Sequence, residues 1–162
     1  MKPYISSKKE KRYQRVLEQL ESLLTKTEHP IPRMATIAAI LHHKMDHFFW
    51  TGFYLLIDGE LIVGPYQGAV ACQILKKNSG VCWSSIQKKE VEIVPDVHQF
   101  PGHIACDSRS NSEIVVPLLD QSGSIVGCLD VDSQVYNNFD SIDQIYLTKI
   151  SHLVYQYKNN PS

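Results

Sequence analysis

Hydrophobic residues in the first and last parts of the chain recur every three or four positions, which is the spacing of an amphipathic helix. The first such stretch extends over Ser7–Lys26, and a second helix is predicted over Met34–Lys44. The apolar stripe of the first helix consists of Val16, Leu17, Leu20, Leu23 and Leu24. A last helix is predicted to begin near Asp140, a residue type that caps helix N-termini, and to extend through Val154.

The middle of the chain has the aromatic and β-branched composition of strands. The stretch FFWTGFYLLIDGELIVGPYQ contains Asp58-Gly59 between two apolar runs, which predicts a hairpin. A second hairpin is predicted from Ile114–Leu119 and Ser124–Val131 across the turn DQSG. Three shorter elements are predicted between the hairpins: a strand at Ala71–Leu75, a helix at Val81–Lys88, and a strand in VEIVPDV that ends at Pro95.

This order of elements predicts one α+β domain, with a central antiparallel sheet flanked by N- and C-terminal helices. Residues 1–45 form the helical N-terminal region, 46–139 the sheet and its loops, and 140–158 the C-terminal helix. A length of 162 residues, 43% of them hydrophobic, fits a single domain with one sizeable core.

Charge and hydropathy exclude several classes of partner. Lys and Arg number 16 against 17 acidic residues, and a formal net charge of -1 gives no field that would attract nucleic acid or an anionic membrane. No apolar run approaches the roughly 20 residues that span a bilayer, and the polar N-terminus lacks the apolar centre of a signal peptide. We therefore expect a cytoplasmic protein, whose thiols are kept reduced.

The cysteines are the first candidates for chemistry. They are Cys72, Cys82, Cys106 and Cys128. None is spaced from another as in a structural zinc pair, so no metal site is expected. Cys106 stands in FPGHIACD, within a long loop predicted over Asp96–Asn111. The residues leave three interpretations open for this thiol: a nucleophile, a metal ligand together with His98 and His103, or an inert small hydrophobic residue. Cys128 lies in an apolar strand and is interpreted as a packing residue.

Three acidic residues form a second candidate group. Asp130 and Asp132 are two positions apart on a predicted strand, so their side chains leave the same face of the sheet. Glu113 begins the strand before them, and the hairpin brings it close. Carboxylates that lie near one another raise each other's pKa. Such a cluster can bind an ammonium group and keep one acid protonated for donation.

Aromatic residues of the first hairpin form a third group. Trp50, Phe53 and Tyr54 lie on its first strand and Tyr66 on its second. Core packing explains most aromatic residues in such a hairpin, and the alternative is the apolar wall of a pocket.

Four stretches carry a resemblance to a known family. They read GPYQGAVACQI, SGVC, VPDVHQFPGHIACDSRSNSEIVVPL and GCLDVDS. Together they resemble the free methionine-(R)-sulfoxide reductases, which are single GAF-domain enzymes, from about Trp50 to Phe139. The resemblance implies a GAF fold and a cytosolic enzyme that reduces free methionine (R)-sulfoxide to methionine. It also implies thiol chemistry without a cofactor, with regeneration by thioredoxin.

The resemblance implies a role for each matching residue. Cys106 matches the nucleophilic cysteine, Cys72 its disulfide partner, and Cys82 a third cysteine that acts in resolution. Further matches concern substrate binding: Glu113, Asp130 and Asp132 for the carboxylates, and Trp50 and Tyr54 for the aromatic wall that receives the methyl group. GAF domains often pair through their terminal helices, so a homodimer is expected. The alternative function is that of a GAF sensor module, which binds a small ligand without turnover.

Overall fold

The computed structural model describes residues 6–103 and 105–156. Four α-helices are present in this part of the chain: α1 (Lys8–Leu23), α2 (Pro30–Lys44), α3 (Gly80–Lys88) and α4 (Ser141–His152). Five strands accompany them: β1 (Trp50–Ile57), β2 (Glu60–Gln67), β3 (Glu92–Val94), β4 (Ser112–Leu119) and β5 (Ile125–Ser133). Ile104, and residues 157–158 of the predicted C-terminal helix, lie outside the described residues.

The strands form one sheet in the order β2-β1-β5-β4-β3, and each neighbouring pair is antiparallel. This arrangement confirms the predicted α+β class with a central antiparallel sheet and helices at both ends. The central strands β1 and β5 pair through Trp50–Leu55, and β5 pairs with β4 along nearly its whole length.

Local sequence signals set the helix boundaries. The hydroxyl of Ser7 accepts a hydrogen bond from the backbone N–H of Glu10 and caps α1. Asp140 and Asp143 form a reciprocal capping box at the start of α4. Helix α2 begins four residues earlier than predicted, because Pro30 occupies the first turn, where its missing N–H costs no hydrogen bond.

Two further predicted elements differ from the structure. The strand predicted at Ala71–Leu75 is wrong: only one isolated bridge, Ile62 to Ile74, joins this segment to β2. The segment leaves the sheet edge because it has to carry Cys72 towards the loop that contains Cys106. The last helix ends at His152, short of the predicted Val154, and a turn follows it.

The two faces of the sheet are covered differently. Helices α1, α2 and α4 pack on one face, where the core includes Leu20, Ile37, Phe53, Leu129 and Ile150. Helix α3 covers only part of the other face, where Trp50, Tyr54 and Cys128 are buried. Side chains of a strand alternate between these faces, so β1 and β5 contribute to both. Within the described residues, every helix is too short or too polar to cross a bilayer.

A buried polar contact fixes α1 against α4. The Tyr13 hydroxyl donates to Oδ1 of Asp143 at 2.6 Å, Lys9 pairs with the same carboxylate, and Tyr13 and Asp143 are both fully buried. We expect Tyr13→Phe to lower the free energy of unfolding by about 2 kcal/mol, because the substitution leaves a buried carboxylate oxygen without its donor. Urea denaturation monitored by circular dichroism measures the change.

Tyr136→Phe is the matched control. It removes the same hydroxyl group from a tyrosine that is 54% exposed. If the two substitutions changed the urea midpoint of unfolding equally, the hydrogen bond between Tyr13 and Asp143 would contribute no more to stability than an exposed hydroxyl does.

Candidate active site

A cavity of about 240 Å³ lies between α3, the sheet face that this helix partly covers, and the loops that precede α3 and β4. The eight residues to which the family resemblance gives a role all line it: Trp50, Tyr54, Cys72, Cys82, Cys106, Glu113, Asp130 and Asp132. These residues come from three strands, one helix and two loops, and the fold brings all of them together. Three other candidates, Phe53, Tyr66 and His98, do not line it, and Phe53 is buried in the core on the opposite face of the sheet. The fourth cysteine, Cys128, is fully buried beneath the same face.

A disulfide between Cys72 and Cys106 forms part of the cavity wall. It joins the loop after β2 to the loop before β4, and the two Cα atoms are 5.5 Å apart. The Tyr54 hydroxyl donates to the backbone oxygen of Cys72 at 3.2 Å, so β1 positions this end of the disulfide. Cys82 and Cys128 are free and buried thiols.

Short-range contacts organise the loop that contains Cys106. The Arg109 guanidinium donates to both carboxylate oxygens of Asp107, at 2.9 and 2.7 Å, and lowers the pKa of Asp107 to about 2. The Ser79 hydroxyl donates to the backbone oxygen of Gly102 at 2.7 Å, which ties this loop to the start of α3. Gly102 has a φ of +74°, a conformation that favours glycine, and it gives the loop its sharp turn.

His103 faces the cavity from the same loop. Its Nε2 atom is buried and has no hydrogen-bond partner among the described residues. Burial, together with the nearby His98, lowers the pKa of His103, so the ring is neutral at pH 7. A neutral imidazole at this position can accept or donate a proton within the cavity.

The three acidic residues lie side by side on the cavity floor. Glu113 on β4 is directly opposite Asp132 on β5, and Asp130 follows two positions away on the same face. Glu113 and Asp130 are 5% and 6% exposed, which removes most of the water that would stabilise their charge.

Burial raises the pKa of Asp130 to about 6. Burial, followed by repulsion from Asp130, raises the pKa values of Glu113 and Asp132 well above those of ordinary carboxyls. The three groups cannot all be ionised together at neutral pH, because each added charge is placed beside another in a poorly solvated site. The cluster therefore holds at least one proton and still attracts a cation.

The environment of Cys82 makes it a weaker nucleophile than an exposed thiol. An interaction with the thiol of Cys128 and burial raise the pKa of Cys82 well above its usual value. The nearby carboxyls of Asp130 and Glu113 act in the same direction.

Trp50 and Tyr54 form an aromatic wall of the cavity. The rings of Trp50 and Tyr54 stack with centroids 5.7 Å apart, and the ring of Tyr66 stacks on the other side of Trp50 at 5.2 Å. Gly52 allows this packing, since a Cβ atom there would lie 2.3 Å from the Cβ of Tyr66 and 2.7 Å from the Trp50 ring. The Trp50 indole N–H donates to the backbone oxygen of Ala69 at 3.1 Å, and the Tyr54 hydroxyl donates to that of Cys72, so the ring faces form the apolar part of the wall.

Sequence reasoning missed several contributors to the site. Ser79, Ser110 and Phe49 line the cavity, yet none lies in a pattern that marks it in advance. The contact between the Tyr54 hydroxyl and the backbone of Cys72 also depends on how the loop after β2 folds back. Gly52 in β1 was the one available signal, and it concerned the stacking of Tyr66 on Trp50, because a glycine in a strand often marks a close approach of other groups.

Comparisons with known proteins agree with this geometry. The family profile described as GAF domain matches residues 34–156. GAF domain-containing protein A of Dictyostelium discoideum is 48% identical over 90% of this chain and 92% of its own. The free methionine-R-sulfoxide reductase of Escherichia coli is 43% identical over 68% of this chain and 67% of its own.

A solved structure extends the likeness to three dimensions. Free methionine-R-sulfoxide reductase from Neisseria meningitidis, in complex with its substrate, superposes with a TM-score of 0.85 at 37% identity. The match covers 95% of this chain and 92% of the other. The chain described here therefore belongs to the GAF domain family and is closely related to the free methionine-R-sulfoxide reductases.

Proposed function

We propose that this protein reduces free methionine (R)-sulfoxide to methionine by cysteine chemistry. One observation carries the proposal: a disulfide lies on the wall of the same cavity as three crowded carboxyls and an aromatic wall. This combination provides a redox-active thiol, a site for a cation and a proton, and a surface for an apolar side chain.

The cavity floor and the aromatic wall would bind opposite ends of the substrate. The ammonium group of a free amino acid is a cation that Glu113, Asp130 and Asp132 can receive. The rings of Trp50 and Tyr54 would contact the methyl group and the side-chain carbons. A residue within a peptide lacks the ammonium group, so this arrangement favours the free amino acid.

Reduction would begin with Cys106 as a thiolate. It attacks the electrophilic sulfoxide sulfur, while a protonated carboxyl of the cluster donates a proton to the sulfoxide oxygen. The oxygen is transferred to Cys106, so the products are methionine and a Cys106 sulfenic acid. Sulfur in the substrate is reduced by two electrons, and sulfur in Cys106 is oxidised by two.

A second thiol would then return the enzyme towards its starting state. The Cys72 thiol condenses with the sulfenic acid, one water molecule leaves, and the disulfide seen in the structure forms. We propose thioredoxin as the dithiol that reduces it by exchange, and Cys82 as a further thiol that acts in resolution. Since regeneration needs a reducing compartment, we propose that the protein acts in the cytoplasm.

Selectivity for the free amino acid gives a first prediction. With N-acetylmethionine (R)-sulfoxide we expect kcat/KM to fall by about 10²-fold or more, because acetylation removes the ammonium charge that the buried acids receive. Methionine and N-acetylmethionine can both be quantified by chromatography, with dithiothreitol as the reductant.

The methyl ester of methionine (R)-sulfoxide is the matched control. It retains the ammonium group and changes only the carboxylate end, so it should keep more of the activity than the acetylated substrate. If acetylation left kcat/KM unchanged, the three acids could not be the ammonium site.

A further inference from the structure

Three of the buried groups on the cavity wall form a compact set of donor atoms. The Sγ of Cys82, one carboxylate oxygen of Glu113 and one of Asp130 all lie within 4.8 Å of one another. Each residue is more than nine-tenths buried, with exposures of 4%, 5% and 6%. The three side chains come from α3, β4 and β5, so the packing of the helix on the sheet creates the set.

An unpartnered atom within this cluster points to a ligand. Oδ1 of Asp130 is buried and has no hydrogen-bond partner among the described residues. Glu113 and Cys82 share protons with the Asp130 carboxylate, and a bound cation would take the place of those protons and contact the unpartnered oxygen. Asp130 also lines the cavity, so an ion at this position can be reached from the cavity side.

The donor types select among cations. Mg²⁺ and Ca²⁺ bind oxygen ligands, so the thiol of Cys82 is a poor donor for either ion. A thiolate with two carboxylates suits Zn²⁺, which binds four ligands in a tetrahedron and prefers sulfur, nitrogen and carboxylate donors. Ligand atoms around Zn²⁺ lie about 3.5 Å apart, and the three donor atoms, all within 4.8 Å of one another, would approach this spacing through side-chain rotation.

We propose that Cys82, Glu113 and Asp130 form a reversible Zn²⁺ site whose fourth position opens to the cavity. The spacing of residues along the sequence does not reveal this site, because its three ligands lie on separate elements. A consequence, which rests on the proposed function, is that Zn²⁺ competes with the substrate's ammonium group for Glu113 and Asp130. Zinc would then be an inhibitor that raises KM and leaves kcat unchanged.

The test uses the oxidised protein, in which Cys72 and Cys106 are held in their disulfide and cannot bind the metal as thiolates. Zn²⁺ alone is titrated in competition with a chromophoric chelator. We expect one zinc per chain, and we expect Cys82→Ser and Asp130→Asn each to weaken binding by at least about 100-fold, since even outer-shell changes cost ~10–100-fold. Cys128→Ala is the matched control, because it removes the other free thiol and should leave the affinity at least as high.

Failure of the wild type to compete with the chelator would overturn the proposal, and so would full binding by Cys82→Ser. Circular dichroism identifies variants that unfold. If the variants unfold, the absorption spectrum of Co²⁺ bound to the wild type tests independently whether Cys82 is a ligand. A thiolate-to-cobalt charge-transfer band is expected, and stoichiometric binding without the band would exclude Cys82 as a ligand. These readouts need no turnover, so their failure leaves the reductase proposal intact, and absence of turnover leaves the zinc site standing.

Discussion

Cys106→Ser is expected to abolish methionine formation from free methionine (R)-sulfoxide, with kcat falling at least about 10³-fold. Serine has nearly the same shape, but its hydroxyl is not ionised near neutral pH and cannot take the place of a thiolate. The disulfide between Cys72 and Cys106 shows that the Cys106 sulfur reaches its neighbour at the cavity wall. Initial rates of methionine formation, with dithiothreitol as reductant, measure the change.

Cys128→Ala is the control for this prediction. The Cys128 side chain is fully buried and is not part of the cavity wall, so its loss should leave most of the activity. Thiol alkylation in denaturant gives a second readout: oxidised wild type should show two free thiols, and Cys106→Ser should show three because Cys72 loses its partner. Substantial activity in Cys106→Ser would assign the nucleophile to another thiol.

Asp130→Asn is expected to change activity and stability in opposite directions. The amide cannot neutralise the substrate's ammonium group, so we expect kcat/KM to fall by about 10²-fold. The protein should at the same time be more stable above pH 6, by about 3 kcal/mol, because the substitution removes a buried charge that lies beside Glu113 and Asp132.

The raised pKa of Asp130 determines how the stability difference between Asp130→Asn and the wild type changes with pH. Burial raises the pKa of Asp130 from the ordinary value of 3.8 to about 6 in the folded protein. Between these two pH values the folded state binds more protons than the unfolded state, so wild-type stability falls as the pH rises. The advantage of Asp130→Asn should therefore be small near pH 4, grow up to about pH 6 and then level off.

Asp58→Asn is the matched control, since it makes the same chemical change in the exposed turn between β1 and β2. Urea denaturation at several pH values and steady-state rates supply both readouts. Parallel losses of stability and activity in Asp130→Asn would contradict the account, because they would indicate a structural role for the carboxylate.

The periodic parts of the fold were predictable from the sequence. The Asp58-Gly59 turn marked the first hairpin, and the Asp140 cap marked the start of α4. Residue alternation also placed Asp130 and Asp132 on one face and, with the hairpin, put Glu113 beside them. These features depend on interactions between near neighbours or between strands joined by one turn.

Features that depend on distant packing were not predictable in the same way. The apolar composition of Ala71–Leu75 is typical of a strand, yet the structure gives it one bridge because its loop closes onto the segment around Cys106. The close approach of Cys82 to the acids depends on how α3 packs against the sheet. The roles of the cysteines and the expected homodimer stay predictions.

The central claim is tested most directly by measuring methionine produced by the reduced wild type from each separate epimer of free methionine sulfoxide. The account predicts turnover of the (R) epimer, little or none of the (S) epimer, and accumulation of the Cys72–Cys106 disulfide when the reductant is omitted. Binding of the sulfoxide without any methionine formation would contradict the account and would assign the cavity to a GAF module that senses a small ligand.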